Sequence, residues 1–407
     1  MSQRLALDEW SLSFKEPEFL SSVTEDECIQ LAAQIAWQGL GFVKTNPLVG
    51  AVAVDQNHRF LGAAAHLQYG EGHAEQNLLA KIKQQGHGDA LRGGTLYCTL
   101  EPCSHFGKTP PCSRLVAESA LQKLVYGFKD PNPLVAGRGL AQLESVGILC
   151  SESKLLRELS APLLEHFFYW IEHKGELPFI GLKIAMSINS VLGFRKSETA
   201  LDPKPSQWIT SQRAREYGHW LRQHYESILV GAQTLIEDNP TLNVRHPDLV
   251  ATNRARTPLR IVFDPNGRAL KSRELSEHNL LKTEPSKTLW VCQSHFWEQE
   301  NQLKQRLEQL GAETFGLKKD DSGLMSLLKY LAARGVPSLL VEGGAKTWNY
   351  FLAENLPKKL HVFMAPKVIL HPDSLYFHSI TQQKIELEFK QQEYTPLGSN
   401  FLLNLSR

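Results

Sequence analysis

Short apolar runs rich in β-branched residues alternate with helical stretches along this chain, and this alternation constrains the fold more than any other feature. In the first half, such runs occupy residues 47–54 (PLVGAVAV), 94–100 (GTLYCTL) and 124–128 (LVYGF). Runs this short, bounded by Gly, Pro or charged residues, are typical of buried strands. Helical stretches near residues 73–85 and 112–121 lie between them, so we expect a mainly parallel sheet covered on both faces. The first half is therefore predicted to be α/β.

The chain is long enough for more than one domain, because a domain averages roughly 150 residues and this chain has 407. A charged amphipathic stretch at residues 151–176 ends in Gly and Pro before a new strand-like run, PFIGLKIAM. The second half then repeats the alternation, with a helix at about 211–224 and strands in SILVG, LRIVFD, TLWVCQ, SLLVEGG and KLHVFMAPKVIL. We therefore predict an N-terminal extension (1–22), a first domain (23–150), a connecting helical segment (151–177) and a second α/β domain (178–407) with its own core.

Charge and cysteine content exclude several classes of protein. The net charge of +1 gives no broad attraction to nucleic acid or to anionic membranes, so local groups have to bind any anionic ligand. The first 19 residues mix acids with apolar side chains, which predicts neither a signal peptide nor a transmembrane segment. Six cysteines are too few for a disulfide scaffold of this length. We expect a cytoplasmic protein that binds neither nucleic acid nor membrane.

Two motifs supply the residue types of a catalytic metal site. His73 opens a predicted helix after two glycines, Cys103 follows a strand and a proline, and Cys112 comes nine residues later. These positions meet at the carboxyl edge of an open α/β sheet, where ligands bind. One imidazole and two thiolates are good zinc ligands, and three protein ligands leave a fourth position for water. Glu75 lies two residues after His73 and is predicted to shuttle a proton from that water to a leaving amine.

Each of these residues taken singly also fits an ordinary core or surface position. A free cysteine is most often buried structure, and we assign that role to the four cysteines in apolar contexts: Cys28, Cys98, Cys150 and Cys292. The combination of His-x-Glu with a strand-Pro-Cys and a second Cys instead matches zinc deaminases. We therefore predict zinc bound by His73, Cys103 and Cys112, with Glu75 as the catalytic residue.

The surrounding motifs resemble the bifunctional riboflavin-biosynthesis deaminase/reductase family. TNPLVGAV, HLQYGEGHAE, TLYCTLEPCSHFGKTPPC and DPNPLVAGRGL carry this likeness over nearly all of residues 24–148. Cytosine deaminases commonly space their zinc cysteines as Cys-x-x-Cys, whereas eight residues lie between the two cysteines here, as in this family. The resemblance implies a cytidine-deaminase-like α/β/α domain. It also implies hydrolytic deamination of 2,5-diamino-6-(5-phosphoribosylamino)pyrimidin-4(3H)-one.

The same motifs imply a substrate pocket for the pyrimidine and its ribose phosphate. Carried over position by position, its residues are Asn46, His66, His105, Lys108, Asp130 and Asn132. Turn chemistry explains Asn46, Asp130 and Asn132 as readily, and a solvated loop explains Lys108. A nearly neutral chain still needs a cation at the phosphate, which favours Lys108 as a ligand.

Motifs in the second half resemble the reductase half of the same family, a dihydrofolate-reductase-like domain that uses NADPH. They are LKIAMSINS, SQWITSQRAR, LRQHYESILVGAQTLIEDNPTLNVR and VEGG, in that order. The resemblance implies that Ala185, Trp208, Thr234, Gly344, Ala345, Lys346 and Thr347 contact the dinucleotide. It further implies that Lys183, Ser206, Arg222, Asp238, Leu242, Arg245 and Glu342 bind the substrate. The glycines of VEGG also fit an ordinary strand-to-helix turn, and Arg222 fits a solvated helix position.

This half departs from the family pattern near the cofactor pocket. Asn189 stands where the family usually has Asp, Asn239 stands where a second Asp is common, and the segment before Trp208 is long. Two alternatives therefore stay open besides a bifunctional, homo-oligomeric enzyme. In the first alternative, the second half is a structural or assembly module without redox activity. In the second, the chain is a nucleic-acid deaminase, as in tRNA editing. The net charge and the cysteine spacing count against the latter.

Overall fold

The protein was analysed as a computed structural model, which describes residues 15–104, 110–132, 136–194, 208–318, 323–377 and 386–407. These residues form two compact units that divide between Glu176 and Leu177. No helix among them is both long and apolar enough to cross a membrane.

The first unit is built on a five-stranded sheet. Its helices are α1 Glu25–Ala36, α2 Ala74–Gln84, α3 Cys112–Ala117, α4 Arg138–Ser145 and α5 Lys154–Glu172. Its strands are β1 Gly50–Val54, β2 Phe60–Ala65, β3 Thr95–Leu100, β4 Lys123–Phe128 and β5 Leu149–Glu152, in the order β2-β1-β3-β4-β5. α1 begins with the Thr24–Glu27 capping box and shares a buried core with α5, while Leu78 and Ile82 of α2 approach Gly62 of β2. Helices therefore pack on both faces, as predicted.

The direction of the strands differs from our prediction. β3, β4 and β5 are parallel, but β1 pairs antiparallel with both β2 and β3, so the sheet is mixed where we predicted a mainly parallel one. A tight turn at Asp55–Arg59 joins β1 to β2, and a connection this short allows only antiparallel strands. β2 (FLGAAA) was also missed, because alanine and glycine carry little strand propensity.

The second unit contains a nine-stranded sheet and a two-stranded one. Its helices are α6 Gln212–His224, α7 Ala232–Asp238, α8 Pro247–Ala251, α9 Asn279–Lys282, α10 Ser294–Gln299, α11 Asn301–Gln309, α12 Gly323–Ala333 and α13 Ala345–Ala353. Its strands are β6 Phe179–Ser187, β7 Val191–Phe194, β8 Ser227–Gly231, β9 Leu259–Phe263, β10 Thr288–Gln293, β11 Glu313–Leu317, β12 Ser338–Glu342, β13 Lys359–Ala365, β14 Ser374–Tyr376, β15 Gln391–Leu397 and β16 Asn400–Ser406. The large sheet has the order β11-β10-β9-β8-β12-β6-β13-β16-β15, and β14 pairs with β7.

Strand order in the large sheet brings three functional segments side by side. β12 lies parallel between β8 and β6, although it follows both in the chain. The carboxyl ends of β8, β12 and β6 therefore meet at one edge, which is where open α/β sheets bind ligands. A core of the second unit's own, centred on residues such as Leu182, Leu229 and Val341, supports these strands as predicted.

The observed bounds of α5, β5 and β13 differ from the segment limits that we predicted. α5 lies inside the predicted connecting segment, yet it packs on α1 and β4 of the first unit. β5 begins before residue 150 and ends after it. The predicted strand at residues 359–370 ends at Ala365, since Pro366 has no N–H for the ladder. The limits of the extension, the two domains and the connector remain predictions.

Candidate functional site

Three separate segments bring the predicted metal ligands together. His73 is the N-cap of α2, Cys103 follows the carboxyl end of β3, and Cys112 is the first residue of α3. Their ligand atoms all lie within 4.8 Å of one another. The sequence analysis thus correctly predicted that these three side chains meet.

The contacts inside this cluster suit a soft metal ion. His73 Nδ1 lies 3.5 Å from Cys103 Sγ and 3.4 Å from Cys112 Sγ. The backbone N–H of Cys112 donates to Cys103 Sγ over 3.4 Å. One nitrogen and two sulfurs at this separation match the donor set that zinc prefers, and three protein ligands characterise its catalytic rather than its structural sites.

Electrostatics favour a thiolate in this cluster. The Cys112 side chain donates to Cys103 Sγ and, with His73, lowers the pKa of Cys103 to about 4, although burial opposes this shift. The same hydrogen bond, in which Cys112 is the donor, raises the pKa of Cys112. The hydrogen bond with Cys103 likewise raises the pKa of His73. Since the thiolate is the form that binds metal, the cluster is prepared for a cation.

Glu75 lies in the first turn of α2, beside the cluster, and is only 3% exposed. Burial raises the pKa of its carboxyl group to about 7, although His73 opposes this shift. A carboxyl group with a pKa near neutrality can both accept and return a proton at physiological pH. This is the property required of a proton shuttle.

His66 lies beside the cluster with a defined tautomer. Its Nδ1 is 3.0 Å from the Gly72 carbonyl oxygen, which only accepts, so Nδ1 carries the proton. Its Nε2 then accepts from Asn46 Nδ2 over 3.1 Å. Burial lowers the pKa of His66, which keeps the ring neutral. The bond fixes the orientation of the Asn46 amide, and the His66 ring stands edge-on to the His73 ring at 5.4 Å.

Gly72 and Asn77 support this arrangement, and the sequence analysis missed both roles. Asn77 Nδ2 donates to the carbonyls of Gly72 and Ala65. A Cβ at Gly72 would lie 2.3 Å from Asn77 Oδ1, so any larger residue there would displace the Asn77 amide. The glycine preceding His73 was a visible signal in the sequence, but its partner four residues into the helix was not.

The other predicted substrate residues of this unit lie after β4 or outside the described residues. Asp130 is buried, and its Oδ1 accepts from the Asn132 backbone N–H over 2.8 Å. This bond is the turn chemistry that we considered as the alternative, and it leaves their predicted contact with substrate untested. His105 and Lys108 fall among residues that the structure does not describe.

A second polar cluster lies at the carboxyl edge of the large sheet. Glu342 ends β12, and its carboxylate accepts two hydrogen bonds from Arg222 of α6, at 2.7 and 2.9 Å. Lys183 of β6 lies 3.9 Å from the same carboxylate. Burial alone would raise the pKa of Glu342, but Arg222 and Lys183 outweigh it and lower the pKa to about 2. The cluster keeps one excess positive charge, which suits an anionic substrate.

The segment after α7 closes this cluster on one side. Arg222 Nη1 donates to the Asn243 carbonyl, and the Arg245 backbone N–H donates to His219 Nδ1, each over 3.2 Å. Burial and Arg222 lower the pKa of His219 to about 4, so its ring is neutral. The exposed Arg245 side chain donates to Thr241 and Asn243.

Not every predicted substrate residue of this unit reaches the cluster by a described contact. Asp238 is the last residue of α7, and Leu242 is buried with a φ of +52°. Arg222 is bound to Glu342, so its predicted contact with the substrate stays a prediction. Ser206 falls outside the described residues.

Several predicted dinucleotide residues gather at the start of α13. Gly344 is the N-cap, and its backbone N–H donates to Thr234 Oγ1 over 3.2 Å. A Cβ at Gly231 would lie 2.4 Å from Thr347 Oγ1, so β8 and α13 approach closely here. Ala345 and Lys346 begin the helix. Backbone N–H groups at such a helix start can bind a phosphate, which fits a dinucleotide.

The remaining two predicted dinucleotide residues belong to other segments of the unit. Ala185 is on β6, two residues beyond Lys183. Trp208 is 56% exposed, with the Arg215 guanidinium 4.8 Å from the centre of its ring.

Hydrogen bonds explain the two asparagines that depart from the family pattern. Asn189 Nδ2 donates to the Ile369 carbonyl while Oδ1 accepts from the Ile369 N–H. Asn239 is the C-cap that follows α7 and has a φ of +41°; its side chain donates to the Glu277 carbonyl and accepts from the Asn279 N–H. An aspartate could only accept at either position. Both changes therefore stabilise local structure.

Comparison with known proteins covers both units. Residues 23–128 match the family described as the cytidine and deoxycytidylate deaminase zinc-binding region. Residues 178–403 match the RibD C-terminal domain.

Relatives match over most of the chain. It is 36% identical to riboflavin biosynthesis protein RibD of Bacillus amyloliquefaciens over 85% of each chain. It is 32% identical to RibD of Aquifex aeolicus, over 93% of this chain and 97% of that one. The crystal structure of a diaminohydroxyphosphoribosylaminopyrimidine deaminase/5-amino-6-(5-phosphoribosylamino)uracil reductase from Thermotoga maritima is 30% identical with a TM-score of 0.76, covering 94% of this chain and 98% of that one. The family resemblance that we inferred from the motifs is therefore confirmed, and so is the predicted two-domain fold class. The chain belongs to the RibD family of riboflavin biosynthesis proteins.

Proposed function

We propose that the chain catalyses two successive steps of riboflavin biosynthesis on one phosphorylated pyrimidine. The first is hydrolytic deamination of 2,5-diamino-6-(5-phosphoribosylamino)pyrimidin-4(3H)-one, and the second is NADPH-dependent reduction of its ribosyl group to ribityl. The observation that carries the proposal is a three-ligand metal cluster with a buried carboxyl group, in a chain whose residues 178–403 also match the RibD C-terminal domain. Membership of the family implies both Zn²⁺ and NADPH as cofactors.

In the deaminase site, His73, Cys103 and Cys112 would bind zinc. When bound, zinc supplies the Lewis acidity that activates water for attack on the ring. A Glu75 carboxylate oxygen accepts the proton of the attacking water and then delivers it to the departing amine. A pKa near 7 suits both halves of this transfer, because neither the acid nor the base form is strongly favoured.

The pyrimidine and its phosphate would lie against residues around this cluster. His66 fixes the Asn46 amide for hydrogen bonds to the ring, and Asp130 and Asn132 would approach the substrate from the segment after β4. His105 and Lys108 complete the set, with Lys108 as the cation for the phosphate.

In the reductase site, Lys183, Arg222 and Glu342 would form the floor of the substrate pocket, with Ser206, Asp238 and Leu242 around it. Arg245 carries the exposed guanidinium that would bind the phosphate in two parallel hydrogen bonds. NADPH supplies the hydride for the ribosyl carbon attached to the amine. The chain's own contribution is to orient the sugar toward the nicotinamide.

The dinucleotide would lie across the start of α13. Gly344, Ala345, Lys346 and Thr347 would bind its phosphates, and Thr234 braces the turn from α7. Ala185 and Trp208 would contact the remainder of the cofactor. We further propose a cytoplasmic homo-oligomer, as the family resemblance implies, with no nucleic-acid partner.

A coupled assay tests the proposed function. Purified protein is given the diaminopyrimidinone phosphate, and ammonia release and NADPH oxidation are recorded in the same cuvette. We expect ammonia first and NADPH oxidation only after it, in a one-to-one final ratio. Ammonia release without NADPH oxidation would support only the deaminase activity. If neither ammonia release nor NADPH oxidation is detected, the proposal is refuted.

A further inference from the structure

Glu101 is a buried acidic residue that the mechanism above does not use. It follows β3, two residues before Cys103, and is 3% exposed. Its backbone N–H donates to the Phe128 carbonyl at the end of β4 over 2.8 Å. The residue therefore lies between the segment that carries Cys103 and the segment that follows β4.

Its carboxylate accepts four backbone hydrogen bonds from that second segment. One oxygen accepts from the N–H groups of Asp130 and Gly137, at 3.2 and 3.0 Å. The other accepts from Gly139 and Leu140, at 3.0 and 3.4 Å. Gly139 and Leu140 lie in the first turn of α4, where the helix dipole favours a negative charge. A carboxylate suits four donors because both of its oxygens only accept.

The two segments approach each other closely at the same junction. A Cβ on Gly139 would lie 2.1 Å from the Pro102 carbonyl oxygen and 3.2 Å from a Glu101 carboxylate oxygen. The start of α4 therefore lies directly against the residue that precedes Cys103. Any shift of one segment has to move the other.

We propose that Glu101 is a positioning residue, which holds the segment carrying Asp130 and Asn132 in register with the metal-binding segment. This inference rests on the proposed deaminase activity, since it assumes that Asp130 and Asn132 contact the pyrimidine. Glu101 is not one of the three residues of the metal cluster, and its carboxylate oxygens accept from backbone N–H groups. It acts through the backbone, so its loss should weaken substrate binding more than metal binding.

The test compares Glu101→Gln with Asp55→Asn. In Glu101→Gln, an NH₂ group that only donates would face two of the four N–H donors, while the size of the side chain stays nearly equal. Asp55 is a matched control, because it is also a buried carboxylate that accepts two backbone N–H bonds, from Asn57 and Arg59. Asp55 follows Val54, which pairs with Thr95 at the start of β3. Cys103 lies beyond the other end of that strand.

We expect Glu101→Gln to raise the deaminase KM about tenfold or more, since small displacements of positioning groups have effects of this size or larger. Zinc per chain and reductase turnover on deaminated substrate should match the wild type. Hydrogen exchange at the amides of Asp130, Gly137, Gly139 and Leu140 should become faster. Asp55→Asn should change neither the deaminase KM nor the exchange at these four amides. If Glu101→Gln does not fold, Gly139→Ala tests the same junction from the other side, with the same expectation.

Two results would overturn the inference. One is a wild-type KM together with unchanged exchange at the four amides in a folded Glu101 or Gly139 variant. The other is an equal rise of KM in Asp55→Asn, which would mean that general loss of stability explains the effect. A wild-type protein that releases no ammonia would instead refute the proposed function, while the exchange measurement would still test the hydrogen bonds of Glu101.

Discussion

The metal cluster of the first unit joins three distant segments through sulfur and nitrogen atoms, whereas the cluster of the second unit joins two neighbouring strands and a helix through full charges. In the first, hydrogen bonds among Cys103, Cys112 and His73 hold together donor atoms that suit a metal cation. In the second, Arg222 and Lys183 already neutralise Glu342. The first site should therefore depend on an added ion, and the second on its own buried charges.

Replacing a metal ligand should separate the two sites most strongly. Cys112→Ser removes one of three donors, so we expect loss of zinc and of deamination by roughly a thousandfold or more, with reductase turnover preserved. Metal analysis and ammonia release measure both effects. Cys150→Ser is the control, because Cys150 is in the same unit but outside the cluster. Full deaminase activity in metal-free Cys112→Ser would disprove the assignment.

Glu75→Gln should separate catalysis from metal binding within the first site. The amide cannot carry the proton, so we expect kcat for deamination to fall by roughly 10²–10⁴-fold while zinc stays bound. Steady-state rates together with zinc content check this. Glu71→Gln changes a nearby exposed carboxylate and should have no effect. Loss of reductase turnover as well would point to misfolding or to obligate coupling between the sites.

Removing a charge from the second site should cost stability rather than metal. Arg222→Met leaves Glu342 buried with only the more distant Lys183 as partner, and breaking a buried pair costs about 3–5 kcal/mol. Urea unfolding followed by a probe in the second unit measures this loss. Arg306→Ala, which breaks an exposed pair with Glu274 at 3.8 Å, should cost less than about 1 kcal/mol. Equal effects of the two changes would remove the distinction between the sites.

The smallest expected effect concerns the substrate phosphate. Arg245→Ala should raise KM for the reductase about tenfold with little change in kcat, because one charge-assisted contact is worth about 1.5–3 kcal/mol and solvent screens part of it. The Arg306→Ala variant serves again as the control. An unchanged KM would mean that another cation binds the phosphate.

The metal cluster could be predicted from sequence because its chemistry is carried by residue types. Few reactions need a histidine, a glutamate and two cysteines in this order, so the motifs identified the site before its geometry was known. The capping box of α1 was equally readable, since both partners lie within one turn.

What could not be predicted depends on partners far apart in the chain. Glu101 reads as an ordinary acid, and its four donors lie 29 to 39 residues later. Arg260, fully buried in β9, donates to the Thr241 carbonyl on one side and to Thr283 and Thr288 on the other. Nothing local marks these residues. The antiparallel start of the first sheet was missed for a related reason, because the alanines of β2 show no strand pattern until β1 pairs with them.

Metal removal is the most direct test of two chemically independent sites in one chain. The protein is stripped with a chelator, and ammonia release and NADPH oxidation on separately supplied deaminated substrate are measured before and after one equivalent of zinc is restored. We predict that stripped protein loses deamination, keeps NADPH oxidation, and regains deamination at about one zinc per chain. Deamination that survives without metal, or NADPH oxidation that disappears with it, would contradict this account.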